Sequence, residues 1–481
     1  MMPMAKPLLM LSVAVPLVFV GCTSTNPKAA FDDVSKTVAA RTGEEVRWLR
    51  EDSQNGEIER GVEGLLKTNL TAQSAIAIAL LNNRTLQAEF ESIGISQAEL
   101  AQASRLRNPQ FSGFWRLPAE GSPVVNAEFS LAQDLLDLLT LPARKKIAAR
   151  NLEITKLRVA HEVLRLANEA QAAFYTLQAR QQLAKRLEAI VELNEAAADI
   201  ARRQYDAGNI NDLELHSQQA AYAQSRLDLA KAEAHVRADR ERLNRLLGLW
   251  GNQTAWQIAD ELAPLPDKEL PVENLEAVAV SGRLDLAAAR SAVINLLSVL
   301  KLKKGVRWIP VAKLGINAEH DLDHSWVAGP TLDLEVPLFD QGQGEVARLA
   351  AEYRRAQRNL EALAVNIRSE VREARDALIA AREATEYFAK VLLPQRQRIL
   401  RETLLQYNAM QKSNFELLAA KEREQLAERE AIEALRDYWI ARAELERAVG
   451  GSLTGEIPRW TSLTAPKPAT TPDEHHREPK P

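Results

Sequence analysis

Between Pro142 and Gly208 apolar residues recur at heptad-like spacing: Leu157, Ala160, Leu164, Ala167, Phe174, Leu177, Leu183, Leu187, Ile190, Ala197 and Ala201. The 65 positions from 143 to 207 contain neither glycine nor proline. Ala, Leu, Arg, Glu, Lys and Gln dominate them, the residues that lose least on entering a helix. The pattern predicts one continuous helix roughly 100 Å long. No globular core needs such a length, so this helix is a strut whose apolar stripe requires neighbours.

Around it the pattern changes period. A helix is predicted from Leu70-Thr71, with Thr71 as N-cap, to Arg107, where Asn108-Pro109 stops it. Two stretches of period-two alternation follow. Phe111, Gly113, Trp115 and Leu117 share one face; Val125, Ala127, Phe129 and Leu131 share another, opposite Asn126, Glu128 and Ser130. Pro118 to Pro123 makes the turn between them, and after the long helix a return helix runs from about Asp212 to Leu247, closed by Gly248.

The same programme then recurs. Gln204-Tyr205 matches Gln406-Tyr407 and Gly248 matches Gly450, both at a shift of 202 residues; Gln133 to Asp137 matches Val336 to Asp340 at 203, and Pro109 matches Pro310 at 201. Four anchors in common register predict a tandem duplication. The second copy reads as a helix from about Glu273 to Lys304 and strands near 309–319 and 327–336. A long helix at about 345–406 and a return helix at about 414–449 complete it, with Pro394 kinking or loosening the long helix. The predicted organisation is a signal segment over 1–21, a tether and irregular wrapping segment over 22–70, and a first repeat over 71–250. A linker over 251–272, a second repeat over 273–451 and a disordered tail over 452–481 follow.

Each strand of the second copy is about ten residues, enough to cross a bilayer when tilted. Apolar on one side and polar on the other is the pattern of a transmembrane barrel, and equally of a half-buried sheet on a soluble core. Four strands cannot close a barrel, and open edges do not persist in lipid. If the strands span a membrane, several protomers pool them. The fold class is therefore mainly α with a small β part: tandem long α-hairpins, packed in a closed homo-oligomer as a helical tube continuing a β-barrel.

Composition adds limits. A net charge of −4 over 481 residues gives no field suited to nucleic acid. The single cysteine excludes an internal disulfide. It is Cys22, and it closes a segment with Lys6 as positive n-region and Leu8 to Val20 as apolar run. Phe19-Val20-Gly21-Cys22 resembles a bacterial lipoprotein lipobox, although Phe19 replaces the usual leucine. The resemblance implies acylation of Cys22, and Thr23 after it implies retention in the outer membrane.

Taken together, Leu70 to Asn83, Asn108-Pro109, the lipobox, the two repeats, Leu392-Leu393-Pro394 and the tyrosine-containing turns at 205 and 407 resemble the outer-membrane efflux protein (TolC-like) family. The resemblance implies a homotrimer whose four strands per subunit make a twelve-stranded transmembrane barrel, opening into a periplasmic α-barrel. It implies a passive exit duct set in outer-membrane lipid, docked on a periplasmic adaptor protein and an inner-membrane pump. The docking tip then falls at Tyr205, Gly208 and Asn209 and at Tyr407, Met410 and Gln411, with Met410 departing from the family's glycine. The pore constriction falls at Asp212, Glu214 and Glu416. Gly208 equally serves as a positive-φ turn residue, and the three acids equally read as solvated helix-surface carboxylates.

No nucleophile elbow, phosphate loop or zinc motif is present, so no enzyme and no cofactor are expected. His320 to His324 lies in a turn and His475-His476 in the tail, and neither forms a preorganised metal-ligand set. Two further readings remain at this stage: the exit duct of a type I protein secretion system, and a coiled-coil scaffold lipoprotein with no pore. The duct sequence does not distinguish small toxic compounds, metal ions and polypeptide as cargo.

Overall fold

The computed structural model describes residues 25–50, 52–117, 125–268 and 273–453. The signal segment with Cys22, the turn at Pro118–Pro123 and nearly all of the tail lie outside them. The described chain separates into two compact units. Among the described residues, one comprises 25–27, 94–152 and 295–350, and the other 28–93, 153–294 and 351–453.

The first unit holds a four-stranded antiparallel sheet in the order β1 (Gln110–Arg116), β2 (Asn126–Asp134), β3 (Ala312–His320), β4 (Trp326–Leu334). Cross-strand pairing aligns Gly113, Phe129, Ala318 and Ala328, and one step along it aligns Ser112, Ser130, Asn317 and Gly329. One face is therefore apolar across all four strands and the other mainly polar, as the period-two alternation predicts, with Phe114 and Val327 as apolar residues on the polar side. The observed strands differ from the predicted ones by one to three residues at their ends.

The second unit is helical, and its elements explain several corrections. The segment predicted as irregular over 22–70 contains two helices among its described residues, α1 (Lys28–Thr42) and α2 (Asp52–Leu66). Val34 and Val38 of α1 are buried, and Phe31 meets Phe90 edge-on at 5.1 Å. The predicted helix from Leu70 to Arg107 is two helices, α3 (Ala72–Asn82) and α4 (Arg84–Ala103), with Thr71 capping α3 through a capping box. Asn83 breaks it because its side chain is engaged elsewhere: Nδ2 donates to the Leu246 carbonyl at 2.9 Å while Oδ1 accepts from the Leu86 amide. The helix predicted over 273–304 divides likewise into α7 (Leu275–Gly282) and α8 (Leu284–Val306), with Arg283 at the break.

The strut α5 spans Leu135–Asp206, 72 residues, and begins seven residues before Pro142 rather than after it. Pro142 is tolerated in the second turn at the loss of one amide bond to Leu138. The return helix α6 is Asp212–Leu247, capped by Asn211 and closed by Gly248. Its counterpart strut is divided: α9 (Gln343–Tyr387), a π-helical turn Phe388–Leu392, then α10 (Leu393–Asn408). Pro394 lacks the amide that would bond residue 390, and the widened turn, in which the Leu393 amide reaches back to Phe388, absorbs that mismatch. The return helix α11 runs Asn414–Val449 and closes at Gly450.

Ile367, Val371 and Leu378 of α9 pack with Tyr438, Leu445 and Val449 of α11 and with Leu275, Ala279 and Leu286. The segment after α6 is an extended strap. Gln178 donates to the Ala259 and Glu261 carbonyls, Trp439 to that of Ala263 and Arg382 to that of Pro266. Leu70 joins the same strap through a parallel bridge to Ile258. No helix among the described residues is long and apolar enough to cross a membrane.

Candidate functional site: the hairpin tips and the sheet faces

The two hairpin tips are built alike. The Gly208 amide donates to the Tyr205 carbonyl at 2.8 Å and Asn209 to that of Gln204 at 2.8 Å. In the other tip Met410 donates to Tyr407 and Gln411 to Gln406, both at 2.9 Å. This nested pair of bonds ends a helix only if the turning residue enters the left-handed region. Gly208 does so at φ +78° and Met410 at +61°. Met410 is 94 % exposed.

The return helices start alike too. The Asn211 side chain accepts from the Glu214 amide, and Ser413 accepts from that of Glu416. Both candidate pore carboxylates thus occupy the third position of a first turn, where a negative charge meets the positive end of the helix dipole. Glu416 also binds the Ser413 amide at 2.9 Å and the Lys412 ammonium at 2.6 Å. The Lys412 hydrogen bond, with the Ser413 donors, holds its carboxyl below the usual range. Asp212 accepts from the Tyr205 hydroxyl, which pushes that phenol upward. The Asp212 and Glu416 carboxylates are therefore tied into their own hairpins, whereas Glu214 is held only through its backbone amide. Sequence reasoning missed the apolar pair beside them, Leu213 and Phe415, both exposed and one residue before Glu214 and Glu416. An apolar residue following a helix cap on an otherwise polar turn was the available signal.

The sheet presents the other chemistry. On its polar face Ser112 and Ser130 hydroxyls meet at 2.6 Å, Arg116 pairs with Glu128 at 3.1 Å, and Asn317 donates to Glu128 at 2.9 Å. Asn126 donates to Glu319 at 2.8 Å. On the apolar face Phe111, Trp115, Leu131, Leu314, Ile316, Leu332 and Leu334 all stand exposed, Ile316 by 62 %. Most of the polar side chains pair with one another, Asn317 Oδ1 being left without a partner, while the large apolar ones stand exposed. That arrangement is the reverse of a half-buried sheet on a soluble core. His320 stacks edge-on against Trp326 at 5.1 Å, and no cluster of three or more metal-ligating side chains occurs among the described residues.

Residues 75–249 match the family model described as outer membrane efflux protein. The cobalt-zinc-cadmium resistance protein CzcC of Cupriavidus metallidurans is 21 % identical over 360 residues, spanning 73 % of this chain and 83 % of CzcC. Among solved structures, CusC aligns with a TM-score of 0.67 at 18 % identity, over 79 % of this chain and 92 % of CusC. The CmeC outer membrane channel of Campylobacter jejuni aligns at 0.69 and 15 % identity, over 79 % and 85 % of the two chains. The MtrE outer membrane channel of Neisseria gonorrhoeae aligns at 0.61 and 17 %, over 79 % and 89 %. At these identities the structural likeness is one of fold. The chain shares the fold of these outer-membrane channels, and its residues 75–249 match the outer membrane efflux protein model.

Proposed function

We propose that three copies of this chain form an outer-membrane exit duct, the passive last stage of a tripartite efflux system. The observation that carries the reading is the sheet: an apolar face exposed on all four strands, an opposite face crossed by a network of polar side chains, and open edges at β1 and β4. Neighbouring strands are all antiparallel, so β4 of one copy and β1 of the next run antiparallel and the ring closes head to tail. Two copies would give eight strands, whose interior side chains fill; three give twelve, an even number with room for a lumen.

In this reading the repeats over 71–250 and 273–451 are duplicated halves whose long hairpins wall a periplasmic tube. The tips at Tyr205, Gly208 and Asn209 and at Tyr407, Met410 and Gln411 meet a periplasmic adaptor, with Leu213 and Phe415 adding apolar contact. Asp212, Glu214 and Glu416, repeated three times, ring the narrow end with negative charge and favour cations. Cys22 carries a lipid anchor. The resistance in CzcC's name, to cobalt, zinc and cadmium, supports metal ions as candidate cargo beside small toxic compounds. The test is single-channel conductance of the purified protein in a planar bilayer. Discrete, cation-preferring openings are expected; inserted protein with no conductance would overturn the duct.

A further inference from the structure

Below the sheet, in the first unit, apolar and cationic residues succeed one another in a fixed order. On α5 the exposed leucines Leu138 and Leu139 come first after the strand, and the exposed Lys145 and Lys146 follow seven residues later. Seven residues are two helical turns, so each lysine lies on the same face as its leucine, about 10 Å further along. On the approach to β3 the order is mirrored: Lys301 and Lys304 are exposed on α8, and Trp308 and Ile309, also exposed, lie nearer the strand.

The charge balance points the same way. The stretches 104–109, 134–150, 300–311 and 335–350, which join the sheet to its helices, contain eleven Lys and Arg against five Asp and Glu. The chain as a whole carries −4. Two of the acids are already engaged, Asp137 by Arg107 and Arg144, and Glu345 by Lys303. No ion pair among the described residues involves Lys145, Lys146, Lys301 or Lys304. The Arg307 guanidinium stacks 4.5 Å from the Trp308 ring centre, which stations an amphipathic aromatic at the boundary.

A face that is apolar near the sheet and cationic one headgroup-depth away matches a bilayer surface in both hydropathy and charge. A water-filled lumen would not call for exposed leucines and tryptophan on the same face as the lysines. We propose that this collar binds the phosphate headgroups of anionic phospholipids in the leaflet facing the periplasm. The inference rests on the barrel reading above and adds a lipid class to it.

The test reconstitutes the full chain in vesicles of phosphatidylcholine with spin-labelled phosphatidylglycerol or phosphatidylcholine, and measures their relative association. Conductance is recorded on the same preparation. A several-fold preference for phosphatidylglycerol is expected, falling towards parity in high salt and in the Lys145→Gln, Lys146→Gln, Lys301→Gln, Lys304→Gln variant. Parity in the wild type, or a preference indifferent both to salt and to the four substitutions, would overturn the collar while intact conductance left the duct standing. Absence of conductance with parity would remove both.

Discussion

Gly208 and Met410 share one left-handed backbone conformation at equivalent ends of the two long hairpins, one without a side chain and the other with a long exposed one. Glycine enters this region freely, whereas a residue with a Cβ is strained there by about 1–2 kcal/mol. Met410→Gly should therefore stabilise its hairpin by about 1 kcal/mol, and Gly208→Ala should destabilise the other by a similar amount. Thermal unfolding of the detergent-solubilised protein reads both. A Met410→Gly variant that melts at or below the wild-type temperature would show that Met410 makes a compensating contact, as a docking residue in an assembled tip would.

Glu214 and Glu416 occupy equivalent positions but separable roles. Glu416 completes a capping box and binds Lys412, while the structure gives Glu214 only its backbone bond to Asn211. Glu214→Gln should shift cation-over-anion preference and leave the melting temperature unchanged. Glu416→Ala should change both, since it removes the acceptor of the Ser413 amide and the partner of Lys412. If neither substitution alters ion preference, the acidic rings have no part in permeation.

Arg283 should be the costliest surface-remote arginine to lose. Its buried guanidinium binds Asp285 at 2.7 Å, Glu370 at 2.6 Å and the Ala448 carbonyl. Arg283→Met strands Asp285 and uncaps the end of α11, at a cost of about 3 kcal/mol. Acid acts on the same cluster in two stages. Burial pushes the neighbouring His161 imidazole down, so the unfolded chain takes up a proton first and stability declines as pH falls below about 6.5. Burial alone would raise Asp285, but the Arg283 hydrogen bonds and charge outweigh it and hold the carboxyl low. Its contribution is present above about pH 4 and is lost as pH falls through the lowered value. His161→Gln should abolish the first stage and keep the second; denaturant titrations from pH 7 to pH 3 distinguish them.

Ile316→Arg tests which way the sheet faces. Ile316 is exposed, so in a soluble scaffold the change would be nearly neutral. On a lipid-facing strand it costs about 2–4 kcal/mol near the bilayer midplane and should sharply reduce insertion. Equal recovery of variant and wild type in the outer-membrane fraction would favour the scaffold.

Much of this architecture is legible in the sequence where the determinants are local. The return helices begin and end where Asn211, Ser413, Gly248 and Gly450 place their caps, and strand faces follow from alternation. Pro394 announced a disturbed helix, and the π-helical turn before it is the form the disturbance takes. What escaped depends on distant partners. Asn83 and Arg283 interrupt otherwise continuous helical patterns because each reaches a return-helix carbonyl more than 160 residues away. α1 carries little signal of its own and is ordered by burying Val34 and Val38. At the tips the sequence shows which residues are present, but the left-handed conformation of Met410 emerges only with backbone geometry in hand.

The central claim is that three chains pool their strands, and the mass of the detergent-solubilised assembly by native mass spectrometry tests it most directly. A discrete species of three subunits is expected, persisting across protein concentration and carrying any covalent lipid on each copy. A monomer or dimer as the only stable species would contradict it, because eight or fewer strands cannot enclose the duct.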